Sequence, residues 1–380
     1  MSKEKIQGIS FFEKYLSIWV LICMAAGILI GQFLTVIPEF LGKLEYANIS
    51  LPIAVLIWVM IYPMMMKVDF KSITRIRKNP QGLIISAVTS WLIKPFLMFG
   101  LAALFFYVIY KAFIPVELAR DYVVGAVLLG AAPCTAMVFV WSNLTKGNPA
   151  YTLVQVAFND LLILILFVPI VSFLLGISNI QVPWDTLVLS IVLFVVIPLT
   201  AGILTRTLVI KKKGEEYFTK NFVSKFDGIT VLGLLLTLVI IFSFQGEAIL
   251  NQPLHVLMIA VPLILQNSIT FAFAYMASKW FKQPHDIAAP AGLIGASDFF
   301  ELSVAVAITL FGVNSPVVLV TTVGVLTEVP VMLLLVKYVN NTKHWFEQTK
   351  SVEPLTTTNV SQMRVLPLTK PSIPQKEYLE

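Results

Sequence analysis

Charge is the scarcest property of this 380-residue chain, because Asp, Glu, Lys and Arg make up only 13% of it. Soluble domains carry about 25% charged residues, which cover the surface that faces water. Here 58% of the residues are hydrophobic. This shortage excludes an ordinary soluble fold and indicates an all-α protein embedded in a lipid bilayer.

Cysteine, histidine and the common catalytic motifs are also scarce. The two cysteines, Cys23 and Cys134, lie in apolar stretches, so neither a disulfide framework nor a zinc site is predicted. The sequence has no GxxxxGK[ST], HExxH or GxSxG motif, and too few polar residues for an ATPase domain. We expect no enzyme, no cofactor and no requirement for an ATPase subunit, so an ion gradient or the substrate's own gradient must drive any transport.

Ten stretches approach or exceed the roughly 20 apolar residues that a helix needs to cross a bilayer. They lie at residues 16–36, 50–66, 82–109, 122–142, 151–175, 186–205, 228–245, 254–278, 287–311 and 316–339. The first is followed by Val36-Ile37-Pro38-Glu39 instead of a small-residue cleavage site. We therefore interpret it as a helix and not as a signal peptide.

The basic residues predict how these spans are oriented. Of the 27 Lys and Arg, 23 fall in connections on one side, three on the other, and Lys94 lies inside the third span. Positively charged connections stay in the cytoplasm, so both termini should be cytoplasmic, in a plasma (inner) membrane. The basic residues form no stripe with interleaved aromatics, so nucleic acid is not expected as a partner.

Five spans per half would place two duplicated halves in opposite orientations. Val127–Cys134 in span 4 is similar to Gly292–Phe299 in span 9, and both spans carry helix breakers near the middle. We predict a cytoplasmic segment at 1–15, inverted five-helix repeats at 16–180 and 181–340, and a largely disordered tail at 341–380. Interrupted helices place free backbone groups at the midplane, where transporters bind substrate.

Polar residues inside the membrane are functional candidates by default, because burying them in hydrocarbon is costly. Glu301 and Asp298 lie one helical turn apart, which suits a site that takes up and releases protons. The alternative is that Asp298 caps the second half of span 9 and that Glu301 makes a structural pair. Cys134 follows the break in span 4 and is either a small filler or a soft, weakly binding ligand.

Other polar residues in the spans have structural explanations. We expect Lys94 to pair with an acidic residue such as Asp160 or Glu328. We expect the amide side chains in spans 5 and 8 either to line a substrate cavity or to hold helices together. They are Gln155, Asn159, Gln266 and Asn267.

The residues around both breaks resemble the arsenical-resistance arsenite permease family, whose superfamily includes the bile acid:sodium symporters. The resemblance is carried by Ala132-Pro133-Cys134-Thr135-Ala136-Met137 and by Gly295-Ala296-Ser297-Asp298-Phe299-Phe300-Glu301-Leu302. It extends to Trp91–Phe96 and Val323–Met332, and it covers about residues 10–345.

The resemblance implies ten helices and efflux of trivalent arsenite, in many members by exchange for protons. It gives transport roles to Cys134 and Glu301, with arsenite held at the thiol, and it includes Pro133, Thr135 and Phe300 in the site motifs. The family pattern has Asn where this chain has Ser90 and Asp298.

Two other functions remain open at this point. A sodium-coupled organic-anion symporter of the same superfamily would take up amphipathic anions and would not need Cys134. A passive channel for small neutral solutes would lack proton coupling. The sequence does not decide whether antimonite is carried as well.

Overall fold

The computed structural model describes residues 16–34, 36–46, 49–67, 80–135, 137–177 and 183–346. The predictions for the N-terminal segment 1–15 and for the basic residues in the connection at 68–79 lie outside these residues. Of the tail predicted to be largely disordered at 341–380, residues 347–380 also lie outside them, whereas 341–346 form the end of a helix and a 3-10 turn. Within them the chain is almost entirely helical, as the composition predicts. A two-residue antiparallel pair, β1 (Glu45–Tyr46) with β2 (Ile49–Ser50), and a 3-10 turn at Lys343–Phe346 complete it.

The helices follow the predicted spans closely. They are α1 Leu16–Phe33, α2 Val36–Gly42, α3 Leu51–Lys67, α4 Gln81–Ile109, α5 Val116–Gly130, α6 Val138–Leu144, α7 Pro149–Ile177, α8 Trp184–Lys213, α9 Glu215–Asn251, α10 Pro253–Trp280, α11 His285–Ala296, α12 Phe300–Phe311 and α13 Pro316–Asn341.

Six of these helices are long and apolar enough to cross a membrane, namely α4, α7, α8, α9, α10 and α13. A seventh span forms if α1 and α2, which meet at a bend of 94°, are taken together. The remaining predicted spans fall on α3, on α5 with α6, and on α11 with α12, and none of these helices reaches that length alone. The count of ten spans and the inverted repeat therefore stay predictions.

Proline and glycine fix most helix boundaries. α7, α10 and α13 each begin with proline, whose missing N–H is not needed at the first helical position. Inside α4, Pro95 cannot donate to the fourth residue before it, and the helix widens into a π-turn over Thr89–Ile93. The Lys94 N–H there bonds to the carbonyl of Thr89.

The helices pack as two groups. The lateral group consists of α1, α3, α8 and α9, in which α9 packs on α1 and α3, and α3 packs on α8. The crossing group consists of α4–α7 and α10–α13, in which α10 packs on α11 and α13, while α5 packs on α4 and α13. Both interrupted spans belong to the crossing group.

Connections predicted to be cytoplasmic contact each other in the crossing group. Gln283 Nε2 donates to Gln81 Oε1 at 2.8 Å, Asn148 N to Asp286 O at 2.8 Å, and Asn340 Nδ2 to Leu144 O at 3.1 Å. These connections therefore share one face, as the distribution of Lys and Arg requires. The orientation of that face in a cell remains a prediction.

Within the lateral group, α1 and α9 approach so closely that only glycine fits between them. Gly27 and Gly31 form a GxxxG pair on α1, and Gly246 faces them from α9. A Cβ atom on Gly31 would lie 2.2 Å from Ser243 O, and one on Gly246 would lie 2.7 Å from Ile28 O. Small residues at such contacts let helix backbones pack directly in a membrane, where lipid gives little hydrophobic drive.

The first prediction concerns this contact. Gly31→Ala should destabilise the protein by about 1–3 kcal/mol, because the added methyl group forces two backbones apart. Gly100→Ala is the matched control, since nothing lies within 4 Å of a Cβ there. It should leave stability unchanged or raise it by up to about 1 kcal/mol. Thermal unfolding of the purified variants measures both, and equal melting temperatures would contradict the close contact.

Candidate functional site

The site forms where the two interrupted spans cross. The described residues between Gly130 and Val138 (131–135 and 137) are non-helical, and so are those between Ala296 and Phe300, so both predicted interruptions are present. The two segments lie antiparallel and pair Pro133 with Asp298. Cys134 N donates to Ser297 O at 3.2 Å, and Phe299 N donates to Ala132 O at 3.0 Å. Each break thus supplies partners for backbone groups that the other leaves free.

The cause of the first break is visible in the sequence. Pro133 has no N–H and cannot continue α5, so carbonyls at the end of that helix lose their helical donors. One of them, Leu128 O, accepts instead from Ser303 Oγ on α12 at 2.9 Å. The second break has no proline, and Ser297 adopts an extended conformation with φ −78° and ψ 141°.

Lys94 joins both breaks. Its fully buried ammonium donates to Ser297 O at 2.6 Å and to Ala132 O at 3.3 Å, and it forms a salt bridge with Asp298 Oδ1 at 2.6 Å. The prediction that Lys94 pairs with an acidic residue is therefore confirmed, but the partner is Asp298 and neither Asp160 nor Glu328, the two examples named. Both half-helices end in free carbonyls that carry partial negative charge, and this is what attracts the ammonium.

Glu328 reaches the second break from α13. Its Oε1 accepts the hydroxyl of Ser297 and, at 3.1 Å, the backbone N–H of Asp298. An N–H without an acceptor inside hydrocarbon would cost several kcal/mol. The Glu328 carboxylate therefore accepts the hydrogen bond that a backbone carbonyl would accept in an unbroken helix. Glu328 is thus a structural partner of the break, although the partner differs from the lysine that we expected.

Asn267 on α10 holds the other oxygen of Asp298. The hydrogen-bond pattern places its amide nitrogen toward the break, where it donates to Asp298 Oδ2 at 3.2 Å and to Ala296 O at 2.9 Å. Gln266 instead contacts Asn267 and donates to Thr270 Oγ1 at 3.3 Å. Of this neighbouring pair, Asn267 therefore contacts the break directly, and Gln266 supports it.

Asp298 and Glu301, the predicted carboxylate pair, have different surroundings. Asp298 is bound by Lys94 and Asn267 and does not cap α12, which begins without a side-chain cap. Glu301 is fully buried, and neither of its carboxylate oxygens has a partner among the described residues. A buried carboxylate without a hydrogen-bond partner is costly, so Glu301 stays a candidate for a role other than folding.

Cys134 is a free, fully buried thiol on the first crossing segment. It lies within electrostatic range of Glu301 and Glu328. The next residue, Thr135, has a buried hydroxyl with no partner among the described residues. The first crossing segment therefore carries a soft sulfur and a free hydroxyl, and carboxylates lie near the sulfur.

A second set of unpaired polar atoms lies between α4 and α7. Asn159 Oδ1 accepts from Trp91 Nε1 at 3.2 Å, while Asn159 Nδ2 has no partner among the described residues. The same holds for Ser90 Oγ and Asp160 Oδ1. Sequence reasoning identified Asn159 and Asp160 but treated Ser90 only as a departure from a family pattern. Its burial beside the π-turn was not readable from the sequence.

A small cavity of about 10 Å³, which has room for about one water molecule, lies beside the crossing, between the two groups of helices. Its wall consists of Val20, Leu234 and Leu238 from the lateral group and of Met137, Trp141, Phe300, Val325, Glu328 and Val329 from the crossing group. Phe300 and Glu328 are thus the predicted site residues that border it. Trp141 was not predicted, although its buried Nε1 has no partner in the described part of the chain.

Comparison with known proteins gives consistent matches. A sequence profile of the Sodium Bile acid symporter family matches residues 54–252. "Arsenical-resistance protein Acr3" of Alkaliphilus metalliredigens is 60% identical over 342 residues, which cover 90% of this chain and 96% of that protein. The protein of the same name from Corynebacterium glutamicum is 33% identical over 344 residues, 88% of this chain and 90% of its own.

A more distant relative is the sodium-dependent transporter YocS of Bacillus subtilis. It is 25% identical over 217 residues, which cover 57% of this chain and 60% of that protein.

The geometry at Glu328 generates the second prediction. Glu328→Leu leaves the Asp298 N–H and the Ser297 hydroxyl without their acceptor and should destabilise the protein by about 1–3 kcal/mol. Glu328→Gln is the matched control, because its amide oxygen can still accept both hydrogen bonds. Thermal unfolding should show a clearly larger drop for Leu than for Gln. Equal drops would mean that the charge of Glu328, and not its acceptor oxygen, supports the break.

Proposed function

The chain belongs to the arsenical-resistance arsenite permease family, within the Sodium Bile acid symporter family, and we propose that it exports trivalent arsenite in exchange for protons. The observation that carries this proposal is the fully buried, unpartnered carboxylate of Glu301 at the crossing that holds Cys134. Two relatives that align over most of their length carry the name of arsenical-resistance proteins.

The chemistry of arsenite suits these residues. At neutral pH it is largely a neutral trihydroxide, a small solute with three hydroxyl groups around a thiophilic centre. Its hydroxyls can donate to the Glu301 carboxylate oxygens, while the unpaired Thr135 hydroxyl can donate to it.

Cys134 supplies the soft ligand. Thiol sulfur prefers soft metals and metalloids, and one thiol cannot form a closed cage around them. A single exchange at arsenic forms one As–S bond, breaks one As–O bond and releases water, and the reverse step frees the substrate. Such a bond is strong enough for recognition and weak enough for release, as transport requires.

Glu301 supplies the proton step. In its ionised form the carboxylate accepts hydrogen bonds from arsenite arriving from the cytoplasm. Protonation from outside removes that acceptor capacity and favours release, and loss of the proton to the cytoplasm restores the site. One proton then moves inward for each arsenite that moves outward.

Asp298 does not take part in this exchange, although the family pattern has Asn at its position. Its charge is matched by Lys94 at 2.6 Å, so the pair adds no net charge to the crossing. The extra carboxylate therefore leaves Glu301 as the group that carries the proton.

The third prediction tests the proton step. In everted membrane vesicles, Glu301→Gln should abolish arsenite uptake driven by a pH gradient, because the amide cannot take up and release a proton. Glu117→Gln is the matched control, since Glu117 is exposed in the first turn of α5. Full pH-driven exchange by Glu301→Gln would rule out the proposed mechanism.

The fourth prediction tests the thiol. Cys134→Ala should lower arsenite uptake at least tenfold, whereas Cys23→Ala, which removes the other free cysteine, should retain it. Radiotracer or mass-spectrometric arsenic measurements on the same vesicles give both values. Similar uptake by the two variants would show that hydrogen bonding alone recognises the substrate.

A sodium-coupled organic-anion symporter is the second candidate. The family description and the sodium-dependent relative from Bacillus subtilis favour it. It requires transport that stops when Na⁺ is replaced by choline and that does not depend on Cys134. The vesicle measurements above distinguish the two functions when they are repeated in choline medium.

A further inference from the structure

The surroundings of the Lys94 ammonium are those of a bound cation. Three oxygens contact it, which are Ser297 O at 2.6 Å, Asp298 Oδ1 at 2.6 Å and Ala132 O at 3.3 Å. They come from both breaks. In transporters with interrupted helices, unwound backbone carbonyls and the ends of half-helices are the groups that coordinate a coupling cation.

The oxygens that surround this point favour a positive charge. α5 and α11 both end at the crossing, and a helix end carries roughly half a negative charge in its free carbonyls. The carboxylate of Asp298 adds to that field, and Glu328 lies one hydrogen bond away. Without a cation, these oxygens would face each other in a region from which water is excluded.

Lys94 cannot leave this position as a free ion can. Its side chain is fully buried, and its backbone is fixed between the π-turn at Thr89–Ile93 and Pro95. Because the ammonium is covalently attached to α4, it cannot dissociate from the protein. A sodium ion in the same place would enter and leave with each cycle.

We infer that Lys94 is a tethered replacement for a coupling cation and that it makes this member of a sodium symporter family independent of Na⁺. The inference concerns the crossing at which arsenite is proposed to bind, but it does not depend on the identity of the substrate. Lys94 acts as a positioning and ion-specificity residue and does not touch the substrate.

The inference has a direct consequence for substitution. Removing the ammonium alone leaves the Asp298 carboxylate buried without its counter-ion, which is strongly unfavourable. A variant such as Lys94→Ala should therefore bind an alkali cation among the three oxygens. The double variant Lys94→Ala/Asp298→Asn lacks both charges and should therefore not bind an alkali cation there.

Thermal unfolding of purified protein without arsenite tests this. In NaCl, Lys94→Ala should melt roughly 5 °C higher than in choline chloride of equal ionic strength, once Na⁺ is about 100-fold above its dissociation constant. KCl is measured in parallel, because the vacated space admits a larger ion, and a shift with either salt supports the inference. The unsubstituted protein, the double variant and the surface control Lys213→Ala should show no difference between the salts.

Two results would overturn the inference. One is a Lys94→Ala protein that melts alike in NaCl, KCl and choline chloride, or that fails to fold in NaCl while the double variant folds. The other is a Na⁺-specific shift in the unsubstituted protein that the substitution removes. These measurements contain no arsenite, so a negative result in them does not contradict the proposed arsenite export. Equally, a loss of arsenite export does not contradict the inference about Lys94.

Discussion

The structure depends on one constraint, which is that backbone N–H and C=O groups freed in hydrocarbon must find partners inside the protein. Two helices are broken at the same depth, and each break leaves groups that its own helix no longer satisfies. The segments pair with each other through Cys134, Ser297, Phe299 and Ala132. Side chains of α4, α10 and α13, namely Lys94, Asn267 and Glu328, then bind the polar groups that the two segments leave without partners. These contacts hold the three helices against the crossing.

These supporting contacts separate the charged groups by role. Lys94, Asp298 and Glu328 are held by each other or by the backbone, with Asn267 completing the network. Glu301 belongs to the same few residues of sequence, yet it is left without a partner in the described structure. Because the hydrogen bonds of this network do not involve Glu301, a change in the charge of Glu301 does not remove any of them. This is the property that a proton-exchanging residue needs.

Much of the fold was predictable because hydrophobic length and helix breakers are local signals. Pro149, Pro253 and Pro316 begin helices where the sequence indicates, and the segment after Pro133 departs from the helix as expected. The identity of the acidic partner of Lys94 was not predicted, because it depends on carbonyls that become available only when two distant breaks meet. The same holds for Glu328, since no sequence pattern shows that an α13 carboxylate replaces a helical carbonyl thirty residues away.

The apolar cavity between the two groups of helices has a further consequence for motion. On the lateral side its wall is aliphatic, and on the crossing side the one charged member, Glu328, already has its hydrogen bonds. Separating these walls breaks few hydrogen bonds. The free-energy cost of separating them therefore comes mainly from exposing apolar surface to water. That free-energy cost rises gradually with the area exposed and does not depend on a particular orientation of the two walls. All members of the buried charge network belong to the crossing group, so a displacement of that group against the lateral group would leave the network intact.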